Sequence, residues 1–367
     1  MMRYQEIKEQ LISMIGQMDP GQRLPSRPTL CKKLDTTRTT LDRAIRELES
    51  EGALSSQNGS GTYVIGLIAG KAPHVENWCV IVPNVMSDIY PSLIRGIENV
   101  ASKRGANLIL CNSDNDPNKQ DRYIRRLLVS GVSGFLIVPI ISSTVEASYR
   151  LYDVLINSKI PFVFCNRNVE GINAPVVKSN DFYGGYIATK HLIERGYRHI
   201  AFVASMRYCT SIDRCQGYIS ALLEHGMEIN RRLIVLPLEE KEQKCFEIMT
   251  SLIENPDPID AVFCFNDTAS LEVCRAIRAS GKRISDDIGV IGYDNIDACA
   301  SFNPPISSVA YKSLEIGEKA ANILSDLIRG KPPESNFEYY LYQPTIVERE
   351  SCCGPKSTSL VHKKNNT

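Results

Sequence analysis

The sequence predicts an α/β protein with a small N-terminal winged helix-turn-helix and a larger, two-lobed α/β domain. Two observations lead to this prediction. Helix caps, apolar helical stripes and glycine-bounded strands follow one another within the first 66 residues. Apolar runs that alternate with amphipathic segments then fill most of the chain, a pattern typical of parallel sheet covered by helices on both faces. At 367 residues the chain exceeds the usual size of one hydrophobic core, so two or more domains are expected.

The composition is that of an ordinary globular protein. The formal net charge is zero, and no apolar run reaches the ~20 residues that a membrane span needs. Charged residues at positions 6, 8 and 9 make the N-terminus unlike a signal peptide. The twelve cysteines form no Cys-x-x-Cys pair and the five histidines show no metal-ligand spacing. We therefore expect a cytoplasmic protein with reduced cysteines, no metal, no cofactor and no membrane partner.

The first domain begins with a helical stripe of apolar residues between positions 4 and 15, which Asp19-Pro20-Gly21 ends. Ser26 can cap a second helix and Thr37 a third. The third helix has a predicted buried stripe, formed by Leu41, Ala44, Ile45 and Leu48. Residues 54–64 alternate around Asn58-Gly59 and predict a hairpin.

The face of the third helix opposite its buried stripe is basic and hydroxyl-rich. It carries Arg38, Thr39, Asp42, Arg43 and Arg46. Between Arg23 and Arg46 there are seven basic residues and only two acids, although the whole chain is neutral. Such a face fits entry into the major groove of DNA, where arginine can bond guanine and phosphate.

This first stretch resembles the winged helix of the GntR family of bacterial regulators, over residues 2–66. The resemblance rests on Gly21-x-x-Leu24-Pro25-Ser26, on the third helix and on Gly59-Ser60-Gly61-Thr62-Tyr63-Val64. It implies a DNA contact by Arg38 at the head of the recognition helix and a wing-tip position for Gly61. The further predicted DNA-binding residues are Arg27, Thr39, Thr40 and Arg43. Two departures from the family pattern are Arg27-Pro28 after the serine and Asp42 where an arginine is common.

Residues 67–77 lie in a stretch that contains glycine and proline, and they are predicted to be a linker. Residues 78–350 are predicted to be an effector-binding domain. Strand-like runs start at Cys79 and recur up to Gly289–Gly292, with helical segments between them. About nine such units predict two sheets with a ligand cleft at the carboxyl ends of their strands. Residues 351–367 are predicted to be a disordered tail.

Polar side chains cluster just after those predicted strands. They include Asp88, Asn166, Arg167, Asn266 and Asp294. Amide, carboxylate and guanidinium groups can each bond two neighbouring hydroxyls, and a ring such as Tyr90 can cover a sugar face. Taken singly, each of these polar residues has the alternative role of capping a helix. Their recurrence at one sheet edge favours a site for a polyhydroxylated ligand.

The second domain resembles the effector domain of the lac repressor family, which is similar to periplasmic sugar-binding proteins. The resemblance runs from about Trp78 to Glu348, and its motifs include Asn180-Asp181-x-x-Gly184-Gly185, Arg214-x-x-Gly217-Tyr218, Phe265-Asn266-Asp267 and Ile291-Gly292-Tyr293-Asp294. It implies effector contacts by Asp88, Tyr90, Asn166, Arg167, Arg214, Asn266 and Asp294. This chain has a GntR-type DNA-binding domain where lac-type repressors have their own helix-turn-helix and a hinge helix. In this combination of domains the complete chain is similar to arabinose-repressor-type regulators.

The sequence therefore predicts a transcriptional regulator, in the default direction a repressor. Its expected partners are double-stranded operator DNA, a sugar-like effector and a second copy of itself in a homodimer. A purine or nucleoside effector is the alternative. No phosphate-binding glycine loop or nucleophile elbow is present, so an enzyme is not expected. The attached DNA-binding domain argues against a free solute-binding protein.

Overall fold

The structure, a computed structural model, describes residues 3–57, 60–65, 75–140, 145–205, 209–237, 244–331 and 339–355. The chain divides into two compact units, Met1–Val75 and Glu76–Thr367. Asn58-Gly59, the centre of the predicted hairpin, and residues 67–74 of the predicted linker lie outside the described residues, as does Gly66.

The first unit is a winged helix-turn-helix. Its elements are α1 (Arg3–Ile15), α2 (Arg27–Lys33), α3 (Arg38–Ser50), β1 (Leu54–Gln57) and β2 (Gly61–Val64). The two predicted caps are confirmed, because Ser26 accepts the amide of Thr29 and Thr37 that of Thr40. The predicted stripe of α3 is buried, and β1 pairs with β2 in antiparallel register. Helix α3 therefore turns its polar face outward.

The second unit alternates strands and helices. The helices are α4 (Ile89–Arg104), α5 (Pro117–Val129), α6 (Val145–Ser158), α7 (Asp181–Glu194), α8 (Cys209–Glu224), α9 (Cys245–Glu254), α10 (Asp267–Ala279), α11 (Asp297–Ser301) and α12 (Ser313–Ile328). The strands are β3 (Asn77–Val82), β4 (Asn107–Asn112), β5 (Gly134–Ile137), β6 (Phe162–Cys165), β7 (Val176–Ser179), β8 (Ile200–Val203), β9 (Ile234–Val235), β10 (Ala261–Cys264), β11 (Gly289–Asp294), β12 (Ser307–Ala310), β13 (Tyr339–Tyr342) and β14 (Thr345–Val347).

These strands form two sheets, one in each lobe. The first has the order β13-β7-β6-β5-β3-β4 and the second the order β14-β12-β11-β10-β8-β9. Both are parallel apart from β14, which runs antiparallel to β12. The chain passes between the lobes after β7, after β12 and after β13. The carboxyl ends of parallel strands from both lobes thus border one crevice, as the sequence predicted.

The predicted disorder of the tail is wrong for its first five residues. Residues 350–352 form a short 3₁₀ helix in which Ser351 and Cys352 are fully buried. The Ser351 hydroxyl accepts the amide of Ser307 and donates to the carbonyl of Val290. A short segment with small, polar side chains has no apolar periodicity, so its docking on β11 and β12 left no signal in the sequence. Residues 356–367 lie outside the described residues.

Among the described residues, no helix is both long and apolar enough to cross a membrane.

Candidate functional site

The exposed face of α3 begins with Arg38, whose side chain is 81% exposed. Thr39 is also exposed, at the helix start. Thr40 is half-buried, and its hydroxyl lies 2.9 Å from that of Thr37, within the helix cap. Of the predicted DNA contacts, Arg38 and Thr39 are thus the most accessible, whereas Thr40 also serves the cap.

Asp42 lies between two of the predicted arginines. Its carboxylate is 3.7 Å from Arg38 Nε and 3.4 Å from Arg27 Nε. Arg27 also donates through Nη1 to the hydroxyl of Thr62 on β2. Arg27 therefore ties α2 to the wing strand, and the acid that departs from the family pattern neutralises part of this basic face.

Arg43 and Gly61 have structural roles as well. The Arg43 guanidinium lies over the ring of Tyr4 on α1, 4.1 Å from its centroid, although the residue is exposed. Gly61 has φ +126°, and a Cβ there would come 2.5 Å from Arg23 Nε. The positive φ favours glycine at this position, whereas the Arg23 side chain could move to make room for a Cβ. The place of Arg23 beside the wing was not predicted, although Arg23 belongs to the basic excess seen in the sequence.

A cavity of about 710 Å³ lies between the two lobes of the second unit. It is lined by all seven predicted effector residues: Asp88, Tyr90, Asn166, Arg167, Arg214, Asn266 and Asp294. The first four come from the first lobe and the last three from the second. They meet because each lies at or just after the carboxyl end of a strand, or in the first turns of the helix that follows.

Further lining residues escaped prediction. They include Ser205, Thr210, Lys244, Phe265 and Glu272. Glu272 lies inside α10 and Lys244 lies just before α9, so neither directly follows a strand. Glu272 lies four residues after Thr268, another lining residue, and residues at this spacing share a helix face.

The first-lobe side of the cavity is tied to a segment that joins the lobes. Asn166 has φ +66°, and its side-chain oxygen accepts a hydrogen bond from the hydroxyl of Tyr311, between β12 and α12. Burial raises the pKa of Tyr90, a shift that Arg167 opposes. Burial also raises the pKa of Tyr311 well above its ordinary value. Both phenols are therefore neutral near pH 7 and can donate a hydrogen bond.

Arg214 is buried and fully engaged. Its guanidinium donates to Asp181, with Nε and Nη2 at 2.9 and 2.8 Å from the same carboxylate oxygen. It also donates to the Phe265 carbonyl and lies 3.5 Å from the ring centroid of Tyr293. Asp181 is fully buried at the start of α7. Arg214 thus reaches the cavity as one end of a buried ion pair, not as a free cation.

Helices α7 and α8 bring this ion pair together by approaching closely. A Cβ at Gly185 would lie 2.1 Å from the carbonyl oxygen of Arg214, and one at Gly217 would lie 2.0 Å from that of Phe182. These glycines belong to the motifs that carried the family resemblance. Because glycine has no side chain, these two positions allow the helices to pack at this short distance.

Asp294 and Asn266 present polar groups from the second lobe. Asp294 has φ +111°, and its carboxylate lies 3.9 Å from Arg214 Nη1. Burial raises the pKa of Asp294 well above its ordinary range, and Arg214 opposes that shift. The Asn266 side-chain oxygen caps α10 by accepting the amide of Ala269. Asn266 can therefore offer a ligand its Nδ2 donor.

Two family models match the chain. The model described as bacterial regulatory proteins, gntR family, matches residues 3–64, and the model of the periplasmic binding protein-like domain matches residues 189–352. These matches agree with the winged helix and with the two-lobed unit described above.

The chain is similar to named relatives over most of its length. It is 27% identical over 354 residues to the arabinose metabolism transcriptional repressor of Geobacillus stearothermophilus, covering 95% of this chain and 97% of the relative. It is 31% identical over 275 residues to the HTH-type transcriptional repressor PurR of Aliivibrio fischeri, covering 74% and 80%. The solved structure of a transcriptional regulator CelR-cellobiose complex is 25% identical, with a TM-score of 0.67, and covers 86% of this chain and 90% of that one.

Proposed function

Because this chain belongs to the transcriptional repressors that join a GntR-type DNA-binding domain to a periplasmic-binding-protein-like effector domain, we propose that it releases its operator when a neutral monosaccharide fills its cleft. The observation that carries this proposal is the meeting of seven predicted polar and aromatic residues around one cavity. The assignment of these residues as effector contacts is part of the proposal.

The chemistry of the cavity suits hydroxyl groups. Asp294 accepts, Asn266 offers a donor, and the neutral phenol of Tyr90 can do both. The cations and acids around the cavity include Lys244, Arg167, Asp88 and Glu272, so neither sign of charge dominates its wall. A neutral, polyhydroxylated ligand needs this mixture, whereas a strongly charged ligand would face repulsion from part of it.

L-Arabinose is the first sugar to test. The relative that this chain matches over 97% of its length is named for arabinose metabolism, and it shares both domains with this chain. The relative named PurR matches over 74% of this chain, so its similarity concerns only that part of the molecule.

A purine is the second candidate, because that PurR relative is the more identical of the two over the residues it matches. A flat base is best held between stacked rings. Tyr90 and Phe265 line the cavity, but among the described residues they form no stacked pair with each other or with another ring. The purine therefore rests on the name of that relative, and the sugar on the mixed polar lining of the cavity.

A thermal-shift panel with the full-length protein tests the effector class. The panel comprises L-arabinose, ribose, xylose, glucose, cellobiose, hypoxanthine and guanine. A ligand at 100 times its Kd adds about 2.7 kcal/mol of stability, which shifts Tm by several degrees. A shift with a pentose supports the proposal. A shift with a purine alone would replace the sugar by the second candidate.

The DNA-binding half of the proposal rests on α3. We propose that Arg38, Thr39, Thr40, Arg27, Arg43 and Gly61 contact the operator, with Arg38 at a base edge or phosphate of the major groove. Two copies of the chain reading an inverted repeat would form a cytoplasmic homodimer on DNA. Selection of binding sequences from a random duplex pool would return an inverted repeat. A selected site with a single half would contradict the dimer.

The same selected duplex can be used to test whether effector binding controls DNA binding. L-arabinose should lower the affinity of the protein for it, as measured by mobility shift. Unchanged affinity at saturating arabinose, together with a thermal shift by arabinose, would show a sugar-binding protein whose ligand does not control DNA binding. That result would contradict the release step alone.

A further inference from the structure

Asp267 is a buried carboxylate directly behind the cavity wall. It is the first residue of α10 and is fully buried. Its neighbours in the chain, Asn266 and Thr268, line the cavity, but Asp267 itself does not. The proposed effector contacts make no use of it.

Two hydrogen bonds of the Asp267 carboxylate lead to one turn. Its Oδ2 accepts the amide of Ile296 at 2.9 Å, and its Oδ1 accepts the hydroxyl of Ser308 on β12 at 2.7 Å. The Ser308 oxygen in turn accepts the amide of Asn295 at 3.0 Å. One carboxylate thus fixes two successive amides, one directly and one through a serine.

The turn that these bonds hold has an unusual backbone. Asp294 and Asn295 have φ +111° and +60°, in the region that L-residues rarely adopt. Such a conformation persists only when its surroundings hold it. The Arg349 guanidinium holds the turn from another side, donating to the Asn295 side-chain oxygen at 2.7 Å.

A glycine on β11 makes room for the Asp267 carboxylate next to the sheet. A Cβ at position 292 on β11 would come 2.0 Å from Asp267 Oδ1, so Gly292 leaves the space that the carboxylate occupies. Gly292 and Asp267 both stand in the motifs that marked the effector domain. Their contact explains why the carboxylate can reach β12 past β11.

We propose that Asp267 is a positioning residue for the effector: it holds residues 294–296 in the backbone conformation that places the Asp294 carboxylate at the cleft. The role of Asp294 as an effector contact rests on the function proposed above. The positioning itself does not, because it is argued from hydrogen bonds within the chain.

Two variants test this in the full-length protein. Ser308→Ala removes the relay to Asn295 while leaving the carboxylate in place, and Asp267→Asn removes one acceptor oxygen. Ser325→Ala is the matched control, because Ser325 is a buried serine on α12 of the other lobe whose hydroxyl has no partner among the described residues. The readouts are amide hydrogen exchange across residues 293–298 without ligand, and the Kd for L-arabinose.

We expect exchange across residues 293–298 to accelerate about tenfold in Ser308→Ala, since the Asn295 amide loses its acceptor. Exchange across α12 should stay unchanged, and Ser325→Ala should match the wild type. Unchanged exchange at 293–298 in Ser308→Ala would overturn the proposal, as would an equal acceleration in Ser325→Ala. If Asp267→Asn does not fold, Ser308→Ala still decides.

The Kd for L-arabinose should rise about tenfold in Ser308→Ala, with ligand-free operator binding retained. A loosened turn with an unchanged Kd would overturn the link from Asp267 to the effector. If the wild type does not bind L-arabinose, the choice of effector fails, and the exchange measurement still decides whether Asp267 holds the turn.

Discussion

The winged-helix face and the cleft employ arginine in opposite ways. The Arg38 side chain is 81% exposed, and it pairs with Asp42 on the surface of the same helix. Arg214 is buried, with its guanidinium shared between Asp181, a backbone carbonyl and the face of Tyr293. A surface pair of this kind contributes about 0–1 kcal/mol, so the exposed side chain is available to DNA at little cost to the fold. The buried one is part of the structure that forms the cleft.

This difference predicts where stability and binding can be separated. On the helix face a substitution should change affinity for DNA and leave the fold intact. In the cleft a substitution at the ion pair should damage the fold before binding can be measured. A residue that touches the cavity without belonging to the Arg214–Asp181 ion pair, such as Asp294, lies between these cases.

The largest expected effect is that of Arg214→Ala. It leaves the Asp181 carboxylate buried without its partner, which costs about 3–5 kcal/mol in comparable buried pairs. We expect a fall in Tm large enough to be evident in a thermal melt without any ligand. A Tm within a degree of the wild type would show that the ion pair is not structural and would remove the contrast with Arg38.

Arg38→Ala should lower operator affinity by about 1–3 kcal/mol, that is, roughly five- to 150-fold. Its Tm and its Kd for L-arabinose should equal those of the wild type, because the side chain supports no packing. Titration of the selected duplex by fluorescence anisotropy measures the loss. Lys33→Ala, at an exposed lysine on α2, serves as a control for the general loss of one positive charge.

Asp294→Ala should raise the Kd for L-arabinose about tenfold or more, since a hydrogen bond to a charged or polar acceptor is lost. Asp294→Asn should lose less, because asparagine tolerates the left-handed backbone at this position and keeps one acceptor. Isothermal titration of both variants checks this order. Equal losses would indicate that the negative charge itself is what the ligand needs.

Much of this arrangement could be predicted from the sequence, and the successes share a cause. The caps at Ser26 and Thr37 and the stripe on α3 depend on neighbours within one helix. The cleft residues lie where strands end, and parallel topology brings strand ends together whatever the packing details. Local patterns and one topological rule were therefore enough to place them.

The failures depend on long-range contacts. Asp181 and Arg214 are on different helices, and no spacing indicates that they pair. The contact of Tyr311 with Asn166 joins residues from two lobes. Ser351 is buried because it satisfies backbone groups of two distant strands, although its own surroundings in the sequence look like a tail. Partners of this kind are brought together by the folded arrangement, so local sequence patterns do not reveal them.

The smallest effect is a pH dependence that starts from Asp267. Burial raises its pKa to about 6, although the Ser308 hydroxyl and the Ile296 amide oppose the shift. The ordinary value is about 3.9. Between these two values the folded protein holds a proton that the unfolded chain lacks, so this group makes the fold more stable as the pH falls from about 6 towards 4.

Effector binding should change in the other direction, because a proton on Asp267 occupies an oxygen that accepts Ser308 or Ile296. The titratable and charged groups near Asp267 are Cys264, Cys299, Asp294 and Arg349. Burial raises the pKa of both thiols, so they stay neutral in this range. Asp294 also has a raised pKa and touches the cleft, so it contributes its own pH dependence to the wild type.

The contribution of Asp267 is therefore the difference between the wild type and Asp267→Asn, in which Asp294 is retained. Isothermal titration with L-arabinose from pH 7.5 to pH 5 should show a severalfold loss of affinity in the wild type that is partly removed in Asp267→Asn. Thermal melts over the same range should show a larger stabilising contribution at low pH in the wild type than in Asp267→Asn, which retains only that of Asp294. Identical affinity profiles for the two proteins would show that the whole pH dependence of effector binding comes from Asp294. Asp267 would then hold the turn without changing its protonation state in this pH range.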